Sequence, residues 1–352
     1  YCKVFNTALW FIDNLFYVII STHEFGNEKV HRIKSLENSS ATLDNGDYFE
    51  FLVIGSGPAG SATAAKISEN YPGHIALLER GKHFSIPQNK HPGEEFSKKW
   101  KNGGILSTFG PEIISFASGS CLGGGSEINS GLFHEPDEKF FKSWSDTYDI
   151  RDLNIESVKP FLKEVKEITN VDQNSDFSQF ENTFKNTAKK MGLSWEKLHR
   201  FMGDTSPQAK NAMTLTYLKK VVQNNGKIFT DVNAKKIFFR KGFWNVIVEQ
   251  SGVTKVIRCK NLFLCCGAIH TNSLLLKSPV SIGKRKTIRK FYLHPMLKAL
   301  AKYPDNIQKM NSDITPLQIT EHYPNYIIGN AASSLQFQIM PFHNKKDLTK
   351  LN

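Results

Sequence analysis

Cysteine is scarce in this sequence, and the cysteines that occur form no motif. They are Cys2, Cys121, Cys259, Cys265 and Cys266. Their number is odd and no pair has Cys-x-x-Cys spacing, so neither a disulfide framework nor a zinc site is predicted. The pair at 265–266 stands in an apolar run and is predicted to fill core space. Unpaired cysteines are typical of a reducing compartment, so we expect the cytoplasm.

Long apolar runs are also missing. The apolar stretch Ala8–Ile20 is interrupted by Asp13 and Asn14 and lacks the basic start of a signal peptide. A membrane-spanning helix needs about 20 apolar residues. We therefore predict an amphipathic helix packed on the protein, with a membrane anchor as the less favoured alternative. Polar residues with loop signals follow up to position 46.

No basic run is long enough to indicate a nucleic-acid-binding face. The formal net charge is +12, from 45 lysines and arginines against 33 acidic residues. The densest cluster, Lys284-Arg285-Lys286 followed by Arg289-Lys290, is short. We interpret the scattered basic residues as a solvated surface and predict no nucleic-acid partner. With 40% hydrophobic and 22% charged residues, the composition is typical of a soluble globular protein.

The sequence that is present is organised around residues 47–81. Phe49–Ile54 is an apolar strand pattern that leads into Gly55-Ser-Gly-Pro-Ala-Gly60 and small residues in helical register. Tyr71-Pro-Gly73 ends the helix, and a second strand pattern, His74–Leu78, ends at Glu79. This order predicts a βαβ unit that binds a dinucleotide.

The glycines and the acid of this unit have predicted mechanical roles. Gly55 permits the tight turn, Gly57 lets the backbone approach a diphosphate, and Gly60 lets helix and strand pack closely. The diphosphate would lie on the helix N-terminus, where unpaired N–H groups favour an anion. Glu79 is predicted to accept hydrogen bonds from a ribose diol.

A second glycine-rich segment spans 119–131 and contains Leu122-Gly-Gly-Gly-Ser126-Glu-Ile-Asn129. Its glycine content excludes a regular element, and a flexible loop is one interpretation. The apolar residues around it favour a loop that is packed against something. Its N–H groups, with the side chains of Ser126 and Asn129, would then hydrogen-bond a phosphate or a polar ring edge.

The remaining sequence predicts a surface excursion over 81–110, polar-faced helices within 136–210, and strands after them. A strand at Leu262–Cys266 runs into Gly267-Ala268, which predicts a second strand–glycine–helix junction. An ordinary strand-to-helix turn is the alternative for this junction taken alone. The other predicted elements are helices over Ile155–Ile168, Asn182–Met191 and Met213–Val222, and strands over Lys227–Phe239, Phe243–Gln250 and Val253–Cys259.

Three of these stretches, in this order and spacing, resemble the glucose–methanol–choline (GMC) oxidoreductases, a family of FAD-dependent enzymes. Gly55–Gly60 with Leu78-Glu-Arg-Gly81 resembles the family's FAD fingerprint. Leu122–Asn129 is similar to its first characteristic motif, and Cys266–Ser278 to its second. The resemblance covers residues 47–300. It implies an α/β fold, with a Rossmann-like FAD-binding domain and a second, incomplete α+β substrate domain.

The resemblance also implies roles for individual residues. Glu79 would bind the adenosine ribose, and the loop Gly123–Asn129 would run beside the flavin and the diphosphate. Ala234 would contact the adenine end through its backbone, and Gly267 and Ala268 would lie against the nucleotide. The residues predicted to bind the cofactor, from the βαβ pattern or from the resemblance, are Gly55, Gly57, Pro58, Ala59, Gly60, Glu79, Arg80, Gly123, Gly124, Ser126, Asn129, Gly131, Leu132, Ala234, Gly267 and Ala268.

The resemblance implies oxidation of an alcohol, with hydride passing to flavin N5 while a base removes the hydroxyl proton. Some family members attach FAD covalently through a histidine just before the motif asparagine. This sequence has Ile128 there, so FAD is predicted to be non-covalent. The identity of the alcohol and of the electron acceptor, oxygen or a quinone, is left open.

The sequence departs from the family in its catalytic segment, where histidine is followed by x-x-Gly and then Thr or Ser. Its only His-x-x-Gly is His23–Gly26, followed by Asn27. His294 and His322 fall where the substrate domain would begin, and His294 is interpreted as structural or at the pocket edge rather than as the base. No catalytic residue is assigned. With Tyr1 as first residue, we expect a fragment that is inactive by itself and binds FAD weakly.

The predicted domain organisation is discontinuous. Alternating apolar and polar residues over Pro316–Met340 indicate the start of a substrate-domain sheet. The predicted parts are a helical or loop extension at 1–46, an FAD-binding domain at 47–135 and 211–280, a helical insertion at 136–210, and a truncated substrate-binding domain at 281–352.

Two other functions remain open at this stage. One is a non-catalytic flavin-binding protein that ends naturally at Asn352. The other is a nicotinamide-dependent dehydrogenase that uses the same βαβ unit. Glu79-Arg80-Gly81 and the triple glycine favour FAD, and a flavin absorption band on purification would decide against the nicotinamide.

Overall fold

The computed structural model describes residues 8–12, 15–19, 41–84, 92–104, 106–110, 113–150, 152–172, 179–203, 206–280, 297 and 317–329. The chain divides into two compact units. The first unit is Tyr1–Ile128 with Tyr217–Thr287, and the second unit is Asn129–Thr216 with Ile288–Asn352. The domain boundaries proposed from the sequence remain predictions.

The described residues contain both helices and strands. The helices are α1 Pro58–Asn70, α2 Pro92–Lys99, α3 Glu138–Tyr148, α4 Ile155–Thr169, α5 Gln179–Lys190, α6 Tyr217–Gln223 and α7 Gly267–Leu276, with 3₁₀ turns at Lys101–Gly104, Gly124–Glu127 and Met213–Leu215. The strands are β1 Ala8–Ile12, β2 Leu15–Ile19, β3 Tyr48–Ile54, β4 Ile75–Leu78, β5 Leu106–Ser107, β6 Ser115–Phe116, β7 Leu132–Phe133, β8 Val171–Asp172, β9 Trp195–Lys197, β10 His199–Gly203, β11 Ser206–Lys210, β12 Lys227–Phe229, β13 Val232–Arg240, β14 Phe243–Gln250, β15 Val253–Leu264, β16 Leu317–Ile319 and β17 Ile328–Gly329.

A six-stranded sheet of order β12-β4-β3-β15-β14-β13 forms the centre of the first unit. Strands β12, β4, β3 and β15 are parallel, and β14 and β13 continue the sheet antiparallel. The register aligns Phe229 with Leu78, Leu78 with Ile54, and Ile54 with Leu264. The four parallel strands therefore end in one row, and the loops that follow them leave at one edge of the sheet.

Burial explains why these residues form a parallel sheet. Leu52 and Val53 of β3 and Leu77 and Leu78 of β4 are fully buried, as expected for parallel strands that are covered on both faces. The small residues of α1 allow that helix to lie close to the sheet, with Ala64 and Ala65 among its buried positions. The βαβ unit predicted from residues 47–81 is confirmed, and so is the Rossmann-like α/β fold.

The described part of the second unit contains the helices α3, α4 and α5, which are 11 to 15 residues long, and small antiparallel sheets. Asp137 caps α3 by accepting a hydrogen bond from the Lys139 N–H, and Asn154 with Ser157 forms a capping box at the start of α4. The sheets have the orders β11-β10-β7, with β8 also paired to β10, and β17-β16-β9. Helices predicted at Ile155–Ile168 and Asn182–Met191 are confirmed as α4 and α5.

The prediction of a helix over Ala8–Ile20 is wrong. Residues Ala8–Ile12 and Leu15–Ile19 form an antiparallel pair of strands in which Ile12 lies opposite Leu15. Aromatic and β-branched residues dominate both strands and favour extended backbone, and the polar residues at 13–14 interrupt the apolar pattern. Among the described helices, none has the length and apolar character that a membrane-spanning segment requires.

Several strand and helix predictions have the right type and the wrong extent. The strand predicted over Lys227–Phe239 is two strands, because Asp231 adopts a left-handed φ of 59°. The strands predicted at Val253–Cys259 and Leu262–Cys266 are one continuous strand, β15. The helix predicted over Met213–Val222 is a 3₁₀ turn and a separate α6, interrupted at Thr216.

The region 136–210 is also less helical than predicted, since it contains strands β8 to β11. These strands are short, and pairing with residues distant in the chain decides them, which local pattern does not reveal. The described residues of the excursion at 81–110 include the α-helix α2, whose first residue is a proline, and a 3₁₀ turn after it.

Candidate cofactor-binding site

The first turn of the βαβ unit requires glycine at two positions for close packing. Gly55 has a φ of 101°, and a Cβ there would overlap the Cys265 carbonyl at the end of β15. A Cβ at Gly60 would overlap the Gly55 carbonyl oxygen. Strand β3, helix α1 and the end of β15 are therefore held together by backbone contacts that a side chain would prevent.

Gly57 differs because it faces open space. It is the N-cap of α1, with a φ of −63° that any residue adopts, and no described atom lies within 4 Å of the position of a Cβ. Within the described residues no side chain caps this helix, and its first turn, Pro58 to Ser61, carries no acid. Pro58 has no N–H, and the Ser61 N–H donates to the Gly57 carbonyl at 2.9 Å. The N–H groups of Ala59 and Gly60 at the helix start are therefore the ones available to an anion.

A buried polar network joins three loops at this edge of the sheet. The Glu79 carboxylate accepts hydrogen bonds from the Ser56 N–H (2.9 Å) and hydroxyl (2.6 Å) through one oxygen, and from the Gly81 N–H (2.8 Å) through the other. The Gly123 N–H donates to the Ser56 hydroxyl oxygen at 2.9 Å. Ser56 is fully buried and Glu79 is 9% exposed, so the network is shielded from solvent.

This network gives Glu79 a role that the sequence did not reveal. An ionised carboxylate has about four acceptor sites, and three are occupied by protein donors. Glu79 thus fixes the first turn to the loop after β4, and one acceptor site remains for a ribose hydroxyl. Ser56 could not be predicted from the sequence, because the position between the two glycines can be any residue in the motif and carries no signal of its own.

The triple-glycine segment meets the first turn directly. A Cβ at Gly124 would stand 3.0 Å from the Gly57 Cα, and Gly123 has a φ of 88°. The Ser126 hydroxyl, which is buried, donates to the Gly123 carbonyl at 2.7 Å. The segment is therefore a packed loop with a 3₁₀ turn, and Ser126 holds the loop in shape. No described atom lies within 4 Å of a Cβ position at Gly125.

The start of α7 lies at the same edge of the sheet. Gly267 has a φ of 76°, faces open space, and is exposed together with Ala268. The predicted strand–glycine–helix junction is confirmed, and it lies beside the first turn because Gly55 packs on Cys265 and Cys266. Ala234 lies near Glu79 along β13, since the Val232 N–H donates to the Glu79 carbonyl at 2.9 Å.

The nitrogen atoms of two basic side chains and one imidazole lie close together at this edge of the sheet. The Nε2 atom of His270 lies 3.4 Å from Arg80 Nη2 and 3.1 Å from Lys101 Nζ. Burial, followed by the nearby charges of Arg80, Lys101 and Lys277, lowers the pKa of His270 to about 4. Burial and then Arg80 also lower the pKa of Lys101. Arg80 was predicted from the sequence to belong to the site, whereas Lys101 and His270 were not.

A sequence model of the GMC oxidoreductases matches residues 96–296, which is more than half of the chain. The chain belongs to the GMC oxidoreductase family. Membership implies FAD as cofactor, and the motif resemblance seen in the sequence is confirmed.

Known relatives are longer than this chain. It is 26% identical over 298 residues to the uncharacterized GMC-type oxidoreductase y4nJ of Sinorhizobium fredii, covering 80% of this chain and 58% of that protein. It is 22% identical over 283 residues to the long-chain-alcohol oxidase FAO3 of Arabidopsis thaliana, covering 73% of this chain and 37% of the oxidase. The chain thus spans little more than half of the first relative and less of the second.

Solved structures agree on the fold. Formate oxidase of Aspergillus oryzae, studied for modification of its FAD, matches with a TM-score of 0.56 and 17% identity, over 68% of this chain and 48% of the oxidase. Pyridoxine 4-oxidase from Mesorbium loti matches with a TM-score of 0.56 and 16% identity, over 66% and 52%. At these identities the likeness establishes the Rossmann-like FAD-binding fold of the GMC family.

The GMC residues of the first unit fit a dinucleotide. No described atom lies within 4 Å of a Cβ position at Gly57, Gly125 or Gly267, and no described side chain caps the start of α1. Basic side chains lie at the same edge of the sheet. A diphosphate needs donors and positive charge at such a place. The residues predicted to bind FAD that the first unit brings to this edge are Gly55, Gly57, Pro58, Ala59, Gly60, Glu79, Arg80, Gly123, Gly124, Ser126, Ala234, Gly267 and Ala268.

Three other predicted cofactor residues belong to the second unit. The Asn129 side-chain oxygen accepts hydrogen bonds from the Gly131 N–H at 3.1 Å and from Lys210 Nζ at 3.2 Å. Leu132 begins β7 and pairs with Arg200 of β10. Contact of Asn129, Gly131 or Leu132 with a cofactor stays a prediction.

The two histidines considered from the sequence keep no assigned role. His294 lies outside the described residues. His322 lies on an exposed turn, and its ring centroid is 4.7 Å from that of Tyr326. A catalytic residue therefore remains unassigned.

Proposed function

We propose that the chain binds FAD along the carboxyl edge of its parallel sheet. It would form the cofactor-binding part of an oxidoreductase that acts on the CH–OH group of an alcohol. The observation that carries this proposal is the open space at Gly57 over an uncapped helix start, bounded by the Ser56–Glu79–Gly123 network. When bound, FAD would supply the acceptor for the hydride of the alcohol.

The residues of the first unit would each hold one part of the dinucleotide. The N–H groups of Ala59 and Gly60 at the start of α1 would bind the diphosphate. The remaining acceptor site of Glu79 would receive a ribose hydroxyl, and the backbone at Ala234 would face the adenine end. The loop at Gly123 to Ser126 and the start of α7 would lie along the rest of the cofactor.

FAD is proposed to be non-covalent, because the position before Asn129 is Ile128, which has no nucleophile. An alcohol substrate is supported by FAO3, the similar long-chain-alcohol oxidase. That protein is an oxidase, which favours oxygen over a quinone as the electron acceptor. The 352 residues contain no His-x-x-Gly followed by Thr or Ser, so we propose that the chain by itself does not turn over alcohols. Reduction of a dye by an alcohol in the presence of the chain and FAD would contradict this.

Two substitutions at the first turn test FAD binding. Gly57→Ala adds a methyl group to open space at an ordinary φ, so the chain should keep its unfolding midpoint and lose at least about tenfold in FAD affinity, measured by flavin fluorescence polarisation. Gly60→Ala should instead lower the unfolding midpoint, because its Cβ would overlap the Gly55 carbonyl. Unchanged FAD affinity in Gly57→Ala would overturn the proposed site.

Dye reduction separates the first alternative function, and the same polarisation titration separates the second. A flavin-binding protein without catalysis would bind FAD and fail to reduce a dye even when completed by the downstream part of a longer relative. A nicotinamide-dependent dehydrogenase would bind NAD in preference to FAD, which competition in the same polarisation assay measures directly.

A further inference from the structure

Arg80, Lys101 and His270 form a group of nitrogen-bearing side chains, here called the basic trio. They come from three places in the first unit: the residue after Glu79, the 3₁₀ turn after α2, and the first turn of α7. Arg80 Nη2 and Lys101 Nζ approach the same atom, His270 Nε2, at 3.4 Å and 3.1 Å. All three side chains are half-buried.

The trio has an excess of positive charge that the described residues do not neutralise. The Glu79 carboxylate is adjacent in sequence, but it accepts its hydrogen bonds from Ser56 and Gly81. The charges that act on His270 are those of Arg80, Lys101 and Lys277, all cationic. A single imidazole nitrogen serves as acceptor for two cations, so His270 is neutral in this arrangement. Like charges held close together at a half-buried position favour an anion between them.

We propose that the basic trio is a binding site for a phosphate group. A guanidinium fork, an ammonium and an imidazole N–H offer donors from several directions to a tetrahedral oxyanion, and two fixed positive charges match a dianion. The trio lies at the edge of the sheet where the dinucleotide is proposed to bind. If the phosphate is that of the dinucleotide, the inference rests on the proposed function. A free phosphate or a phosphorylated metabolite would use the same donors independently of it.

Binding of the anion should carry a proton to His270. In the free site the imidazole is held neutral by burial and by its cationic neighbours, and its pKa is about 4. A bound dianion reverses the sign of the nearest charge and raises that pKa. Affinity should therefore rise as the pH falls from about 7 to about 5, by up to about tenfold per pH unit, as one-proton linkage requires. Sulfate is the cleanest probe, because it stays a dianion throughout this range.

The experiment measures sulfate, inorganic phosphate and FAD binding to the 352-residue chain and to Lys101→Gln, by calorimetry and flavin polarisation. Lys236→Gln is the matched control, since Lys236 is an exposed lysine on β13 of the same unit. We expect Lys101→Gln to lose at least about tenfold in sulfate affinity while Lys236→Gln does not. His270→Gln should abolish the pH dependence of sulfate binding. Lys101→Arg keeps the charge and should bind sulfate like the wild-type chain. That result would exclude misfolding as the cause of the lost affinity in Lys101→Gln.

The outcomes distinguish a phosphate of the dinucleotide from a separate phosphate ligand. They also distinguish failure of the proposed function from failure of the proposed phosphate site. Competition between sulfate and FAD, with FAD weakened in Lys101→Gln, assigns the trio to the dinucleotide. Sulfate binding that depends on Lys101 and is unaffected by FAD assigns it to a separate phosphate ligand. If FAD fails to bind while sulfate binding still depends on Lys101, the proposed function fails and the trio stands. Equal affinities of the wild-type chain and Lys101→Gln for sulfate, phosphate and FAD would overturn the inference.

Discussion

The substitution Glu79→Gln tests whether the buried network holds the first turn in place. A glutamine of nearly the same shape can direct its oxygen at the two Ser56 donors, but its NH₂ group then faces the Gly81 N–H, which is also a donor. One charge-assisted hydrogen bond is lost, at about 1.5–3 kcal/mol, and the two at Ser56 become weaker neutral ones. Since Glu79 is 9% exposed, solvent replaces little of this. We expect the free energy of unfolding to fall by about 3 kcal/mol.

The assay is urea unfolding without added FAD, followed by far-ultraviolet circular dichroism and tryptophan fluorescence, so that the network is measured apart from cofactor binding. Glu69→Gln is the control. It lies on α1 and pairs with Lys66 at 3.1 Å and Lys220 at 3.3 Å, but these partly exposed ion pairs contribute about 0–1 kcal/mol. Equal destabilisation by the two substitutions would refute the role assigned to Glu79.

Three further predictions concern other residues of the first unit. Ser56→Ala removes the acceptor of the Gly123 N–H and should cost about 1–3 kcal/mol in urea unfolding, whereas Ser118→Ala, which removes a long 3.5 Å hydrogen bond to the Gly119 carbonyl, should be nearly neutral. Gly123→Ala places a side chain at a φ of 88° against Glu127 and should lower the unfolding midpoint, while Gly125→Ala, facing open space, should leave it unchanged. Burial raises the pKa of the Cys259 thiol to about 12, so at about pH 8 its alkylation by iodoacetamide should be at least about 100-fold slower in the folded chain than in urea; equal rates by peptide mass spectrometry would contradict this burial.

The parts of the fold that local pattern determines were predictable from the sequence. An apolar run, a glycine-rich turn, small residues in helical register and a second apolar run have one common arrangement, so residues 47–81 were assigned correctly. The junction at Gly267 was found for the same reason. Where the chain changes direction through one residue of unusual φ, as at Asp231, the pattern on both sides reads as a single strand.

The parts that depend on distant residues were not predictable. His270 meets Arg80 across 190 positions and Lys101 across 169 positions of sequence, and no local feature of Lys101 distinguishes it from the other lysines. Ser56 acquires its importance from Glu79 and Gly123, which come from other loops. The pairing of β1 with β2 was missed because the apolar run suited a helix as well as two strands.

Hydrogen–deuterium exchange of the 352-residue chain with and without FAD tests the central claim most directly, namely that loops following the parallel strands form one FAD crevice. The account predicts that FAD slows amide exchange together in 55–61, 79–82, 119–128 and 265–272, and that riboflavin, which lacks the diphosphate, does not protect 55–61. Binding of FAD without protection of the segment at Gly57, or protection confined to residues away from these four segments, would contradict it.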